Sequence, residues 1–119
     1  MPLPVYEFWI YLQAPILVGS GAAFVLGDST DAPNDWDFIV NPLHWQRIVA
    51  LVRVHKYVDS VTTNHRGGLN IVLNKTGTQC HLQLWPDTLE GYLRNLPFKN
   101  SFLLNNFMGF SPKPKITIT

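Results

Sequence analysis

A three-residue apolar run, Ile16-Leu17-Val18, passes directly into Gly19-Ser20-Gly21, and Asp35-Trp36-Asp37 opens a second apolar run, Phe38-Ile39-Val40. Ile16–Val18 is too short for a globular helix, so it reads as a buried strand, and Trp36–Val40 reads as a second one. Between them Gly21–Leu26 predicts a short helix capped by Ser20, followed by a polar loop over Asp28–Asn34. Strand side chains alternate between faces, so Asp35 and Asp37 project from the same side. Backbone N–H groups of Ser20 and Gly21 at a helix start form an anion site. An anion cradle facing paired carboxylates is the layout that handles a nucleoside triphosphate with a divalent metal.

The flanking segments restrict the architecture further. Val5, Phe8, Trp9 and Leu12 have helical spacing within Val5–Gln13, and Pro15 ends the run. After Asn41-Pro42, an amphipathic helix carries Trp45, Ile48, Val49 and Val52 on one stripe. Tyr57–Thr63 is β-branched and predicts a strand. Gly67–Leu73 and Thr78–Trp85 flank Asn74-Lys75-Thr76-Gly77, a hairpin signal. Asp87 then caps a helix through about Leu96. The terminal Lys115-Ile-Thr-Ile-Thr reads either as an edge strand or as a tail. The order predicts a single α+β domain, residues 1–119, with mixed α/β layers and with 97–119 as an extended C-terminal segment.

Composition narrows the class. With 46% apolar and 14% charged residues, the 119-residue chain has the material for a packed core. Its net charge of +1 gives no general basic field, so any nucleic-acid contact must be local. Cys80 stands alone, which excludes an internal disulfide and fits a reducing compartment. The apolar N-terminal stretch contains Glu7 and is interrupted by Pro2, Pro4 and Pro15, which suits neither a signal peptide nor a membrane span. The expected location is cytoplasmic, with no membrane partner.

Two common glycine-loop chemistries do not fit. A dinucleotide fingerprint would need a small residue where Phe24 stands, and its ribose-binding acid follows the second strand, whereas Asp35 and Asp37 lead into it. No Gly-Lys-Ser/Thr occurs, so there is no P-loop, and Ser20 lacks the Gly-x-Ser-x-Gly elbow of a nucleophile. His44, His55, His65 and His81 show no zinc spacing, and Cys80 reads as an inert buried thiol. Trp9, Trp36 and Trp45 read as core, leaving Trp85 as the one candidate for base stacking. Arg66 and Lys75 border the hairpin, either as solvated turn charges or as phosphate contacts.

The Gly19-Ser20 and Asp35-x-Asp37 pair, with Asn64-His65-Arg66-Gly67-Gly68 and Leu84-Trp85-Pro86-Asp87 behind it, resembles the minimal DNA polymerase beta-like nucleotidyltransferase superfamily. The resemblance covers most of Ile16–Leu93. It implies a mixed sheet flanked by helices, with Gly19 and Ser20 holding the triphosphate. It implies Asp35 and Asp37 as catalytic residues and as ligands of Mg²⁺ or Mn²⁺. The family places a third carboxylate two residues before Trp85, where this chain has Gln83, assigned here to the nucleotide site. An amide offers one neutral oxygen in place of two charged ones. His81 shares that face, either as a substitute base or as a plain polar strand residue. Larger relatives add a helical region for base and acceptor. Here that selection falls to the C-terminal segment, a second copy of the chain, or a partner protein. Two functions are therefore expected: transfer of a nucleotidyl group to a hydroxyl on RNA, protein or a small molecule, or a degenerate copy kept as a nucleotide-binding or protein-interaction module.

Overall fold

The computed structural model describes residues 1–94. The first helix, α1 (Leu3–Tyr11), begins two residues before the expected Val5 because prolines in a first turn have no N–H to lose. It also stops before Gln13. Gln13 and Ala14 take positive φ angles of 65° and 53°, and their amides donate back to the carbonyls of Ile10 and Trp9 at 2.9 Å. The Trp9 indole N–H donates to the Pro15 carbonyl and ties this turn to the first strand.

Strand β1 (Ile16–Val18) runs straight into α2 (Gly19–Leu26). Then follow β2 (Trp36–Val40), a 3-10 turn at Pro42–His44, and α3 (Trp45–Val54). A meander closes the sheet: β3 (Val58–Thr63), β4 (Leu69–Lys75) and β5 (Thr78–Pro86), before α4 (Leu89–Arg94). The β4–β5 turn is Thr76-Gly77, both at positive φ, the backbone a two-residue hairpin requires. The cap of α4 is Thr88, not Asp87. Thr88 Oγ1 accepts the Gly91 amide at 2.9 Å, while Asp87 Oδ1 accepts the amide of Thr88 outside the helix. The expected extension to Leu96, the C-terminal segment 97–119 and the Lys115–Thr119 strand or tail lie outside the described residues.

The five strands form one mixed sheet in the order β1-β2-β5-β4-β3, so the fold is α+β. All neighbours are antiparallel except β2 and β5, which are parallel at the centre. One face carries the main core: Leu17, Trp36, Phe38, Ile71, Leu82 and Leu84, covered by Phe8, Trp9 and Leu12 of α1 and by Ile48 and Val52 of α3. Lys75 reaches both carboxylate oxygens of Glu7, at 2.9 and 3.1 Å, and pins β4 to α1. Lys75 is therefore neither a solvated turn charge nor a phosphate contact. Trp9 and Trp36 are buried, and Trp45 packs on the same core. Cys80 is buried too, and burial raises its thiol pKa, which keeps it protonated and unreactive. Among the described residues no helix is long and apolar enough to cross a membrane.

Candidate functional site

The opposite face of the sheet has only a small apolar cluster, Val18, Ile39 and Trp85, capped by Ile16 and by Leu89 and Tyr92 of α4. Beside it runs a polar row set by strand register. Val18 of β1 pairs with Asp37 of β2, Asp37 with Gln83 of β5, Gln83 with Asn70 of β4, and Asn70 with Thr62 of β3. Partners in register point to one face. Carboxylate and two carboxamides therefore lie side by side, about 5 Å apart from strand to strand.

Gly19 forms the wall of this row. It has φ +70°, and a Cβ built on it would sit 3.1 Å from Asp37 Oδ2 and 3.6 Å from the Tyr92 hydroxyl. Both facts demand glycine: the left-handed backbone, and the carboxylate pressed against it. The helix consequently starts at Gly19 with Val18 as its cap residue, and no side chain caps it. Ser20 is thus inside the first turn, correcting its expected role as the cap. The positive end of α2 opens beside Asp37 with its first amides uncapped. Ser20 itself is exposed.

Asp37 has an unusual charge environment. Its pKa is pushed up to about 6 from 3.8, chiefly by burial and further by the neighbouring Asp35 charge, against a lowering by Arg66. The Tyr92 hydroxyl is pushed up to about 12 by burial and then by the Asp37 charge, so it remains a neutral donor. A cation brought beside Asp37 would offset the burial that raises its pKa, and with it the smaller repulsion from Asp35. Two carboxylates with the Gln83 carbonyl opposite are an oxygen donor set suited to Mg²⁺ or Mn²⁺. Among the described residues no cluster of three or more His, Cys, Asp or Glu could hold a metal.

The β3–β4 loop supplies the remaining charge. Asn64 Oδ1 accepts the amides of Arg66 and Gly68, each at 2.9 Å, and the Asn64 amide donates to the Gly68 carbonyl at 3.0 Å. That closed turn lays the Arg66 guanidinium 4.3 Å above the Trp85 ring. Gly68 has no room for a side chain: its Cβ would meet the Leu84 carbonyl oxygen at 1.9 Å. Trp85 is only 4% exposed, between Arg66 and Tyr92, so it is not a stacking platform for bases. Asn70 Oδ1 is buried with no hydrogen-bond partner among the described residues, an uncommon condition for a native acceptor.

The structure thus gathers Gly19, Asp37 and Gln83 at one place, with Asp35 close enough to act on Asp37 electrostatically and Ser20 on the adjoining helix turn. Asn70, Arg66 and Tyr92 join the same row, and sequence reasoning did not place them there. For Asn70 the available signal was its hairpin register opposite Gln83; for Tyr92, its position one turn after Leu89.

The family described as Domain of unknown function (DUF7277) matches residues 15–114, from the start of β1 onward, and the chain belongs to it. No curated protein and no solved structure gives a significant match.

Proposed function

We propose that this DUF7277 chain is a minimal nucleotidyltransferase-fold protein that binds a nucleoside triphosphate together with Mg²⁺ or Mn²⁺. The observation that carries the reading is the close approach of Asp37 to Gly19, which sets a carboxylate beside a helix N-terminus. Neither half explains the other alone. A half-buried carboxylate near a second one is costly, and uncapped amides attract anions; a metal-bound phosphate satisfies both. In this reading the amides of Ser20 and Gly21 take the β and γ phosphates, and Asp35 and Asp37 hold the metal. The metal supplies charge neutralisation of the triphosphate. Arg66 adds a positive charge that acts on Asp37, and the Tyr92 hydroxyl stands on the Asp37 side. An acceptor hydroxyl on RNA, protein or a small molecule would attack the α-phosphorus in line, with pyrophosphate leaving. Its proton needs a base, which Gln83 cannot be; His81, exposed and one alternation away on β5, is the nearest titratable group on that strand.

Gln83 also favours a second reading, a binding module with little or no turnover that senses nucleotide or contacts a partner protein or a second copy. A cytoplasmic setting agrees with the single buried cysteine. Calorimetry with each of the four ribonucleoside triphosphates, with and without Mg²⁺, tests both readings. Metal-dependent binding of at least one is expected, and no heat under any condition removes the proposal. Labelled triphosphate with candidate acceptors then separates enzyme from sensor. Gln83→Asp is expected to tighten metal binding in the nucleotide complex about tenfold, since a full charge replaces a dipole. An unchanged metal affinity would remove Gln83 from the ligand set.

A further inference from the structure

A separate cavity of about 300 Å³ lies at the far end of β2, where β1 and β2 run out between the end of α1 and the start of α3. Its accessible apolar lining is Ala14, Pro15 and Ile16, each half-buried, beside the almost fully buried Leu12 and Ile48, and its polar lining comes from Gln13, Asn41, His44 and Arg47. No Asp or Glu lines it. Arg47 Nη1 is held by Gln13 Oε1 at 2.8 Å, and Gln13 is itself fixed by its left-handed backbone after α1. The guanidinium is therefore oriented by a neutral partner, and among the described residues it forms no ion pair. An aimed but uncompensated Arg at the mouth of a partly apolar cavity of ligand size is the arrangement that takes up an organic anion.

We propose that this cavity binds a small monocarboxylate with an apolar body, its carboxylate on Arg47 and its hydrocarbon on Ala14, Pro15 and Ile16. One guanidinium matches one negative charge, and the free edge of its fork fits a planar carboxylate. A phosphate dianion would not use the apolar lining. The site stands apart from the Asp37 row, at the opposite end of β2, and does not depend on the nucleotide reading.

The test is amide NMR on the full-length ¹⁵N-labelled chain titrated with phenylacetate, with its neutral isostere phenylacetamide, and with inorganic phosphate. Phenylacetate is expected to give saturable shifts confined to residues 13–16 and 41–48. Phenylacetamide should bind at least about tenfold more weakly, and Arg47→Met should weaken phenylacetate by a similar factor. Absence of saturable shifts with phenylacetate overturns the proposal. So does equal binding of phenylacetamide, or an undiminished affinity in Arg47→Met. Phosphate binding as tightly as phenylacetate at these residues would overturn the carboxylate assignment. Because the isostere comparison uses the unaltered chain, the outcome does not hinge on how the variant folds.

Discussion

Asp37→Asn is expected to make the protein more stable at neutral pH by about 2 kcal/mol while abolishing metal-dependent nucleotide binding. The carboxyl stands near pKa 6 in the fold against 3.8 as an ordinary group, so the fold prefers it protonated. Its folded pKa being raised, stability is highest below 3.8, declines as pH climbs towards 6, and is flat above. Asparagine keeps the shape and removes the charge, which restores that loss and flattens the decline. Urea denaturation across that pH window checks both statements. A variant less stable than the parent at pH 7, with the parental slope intact, would show that burial of Asp37 is not what strains the site. Calorimetry on the same variant should show no magnesium-dependent heat, and Asp35→Ala with Asp37→Ala should agree. The combination matters: a residue whose removal stabilises the fold is held there by something other than folding.

Gly68→Ala should produce the largest loss of stability of any single methyl addition in the described chain, about 3 kcal/mol or more. The added carbon would lie 1.9 Å from the Leu84 carbonyl oxygen and 2.6 Å from Trp85 Cβ. One of these is main chain in a central strand, so relief requires shifting the neighbouring Leu69–Leu84 pair of the β4–β5 ladder. Gly67→Ala is the matched control. Gly67 has φ +75° but nothing within 4 Å of its Cβ, so only the left-handed backbone penalty applies, about 1 kcal/mol. Urea midpoints for the two variants should differ clearly; similar losses would mean that the strand approach is looser than described. In Gly68→Ala, Arg66 should also leave the Trp85 face, seen as a change in tryptophan fluorescence.

Much of the layered fold was readable because its signals are local. The Ile16–Val18 run, the Trp36–Val40 strand, the Trp45/Ile48/Val52 stripe and the Thr76-Gly77 turn each declare themselves within a few residues. Alternation correctly separated Trp36 from Asp37, and the same alternation placed His81, Gln83 and Trp85 on one face. What escaped was set by distance or by backbone angle. The Ser20 cap failed because Gly19 can enter the left-handed region and start the turn one residue sooner, a choice the neighbouring Asp37 makes necessary. Arg66 stood open between a solvated turn charge and a phosphate contact because nothing adjacent in sequence reveals the Trp85 ring beneath it. Trp85 looked available for stacking for the same reason. Asn70 enters the row through the β4–β5 register, a signal the hairpin turn carried, whereas Tyr92 enters it only through the packing of α4, which no periodicity argument reveals.

The parallel pairing of β2 with β5 has a kinetic meaning. Asp37 is synthesised early, but its neighbour Gln83 arrives only after α3 and the β3–β4 meander have been made, and inserts between strands already present. This is the join with the greatest loop-closure demand in the sheet, so it is expected to form late and to limit the folding rate. A nascent or partly unravelled chain would hold Asp37 without its row, and a ligand spanning the two strands would report that the whole domain has closed.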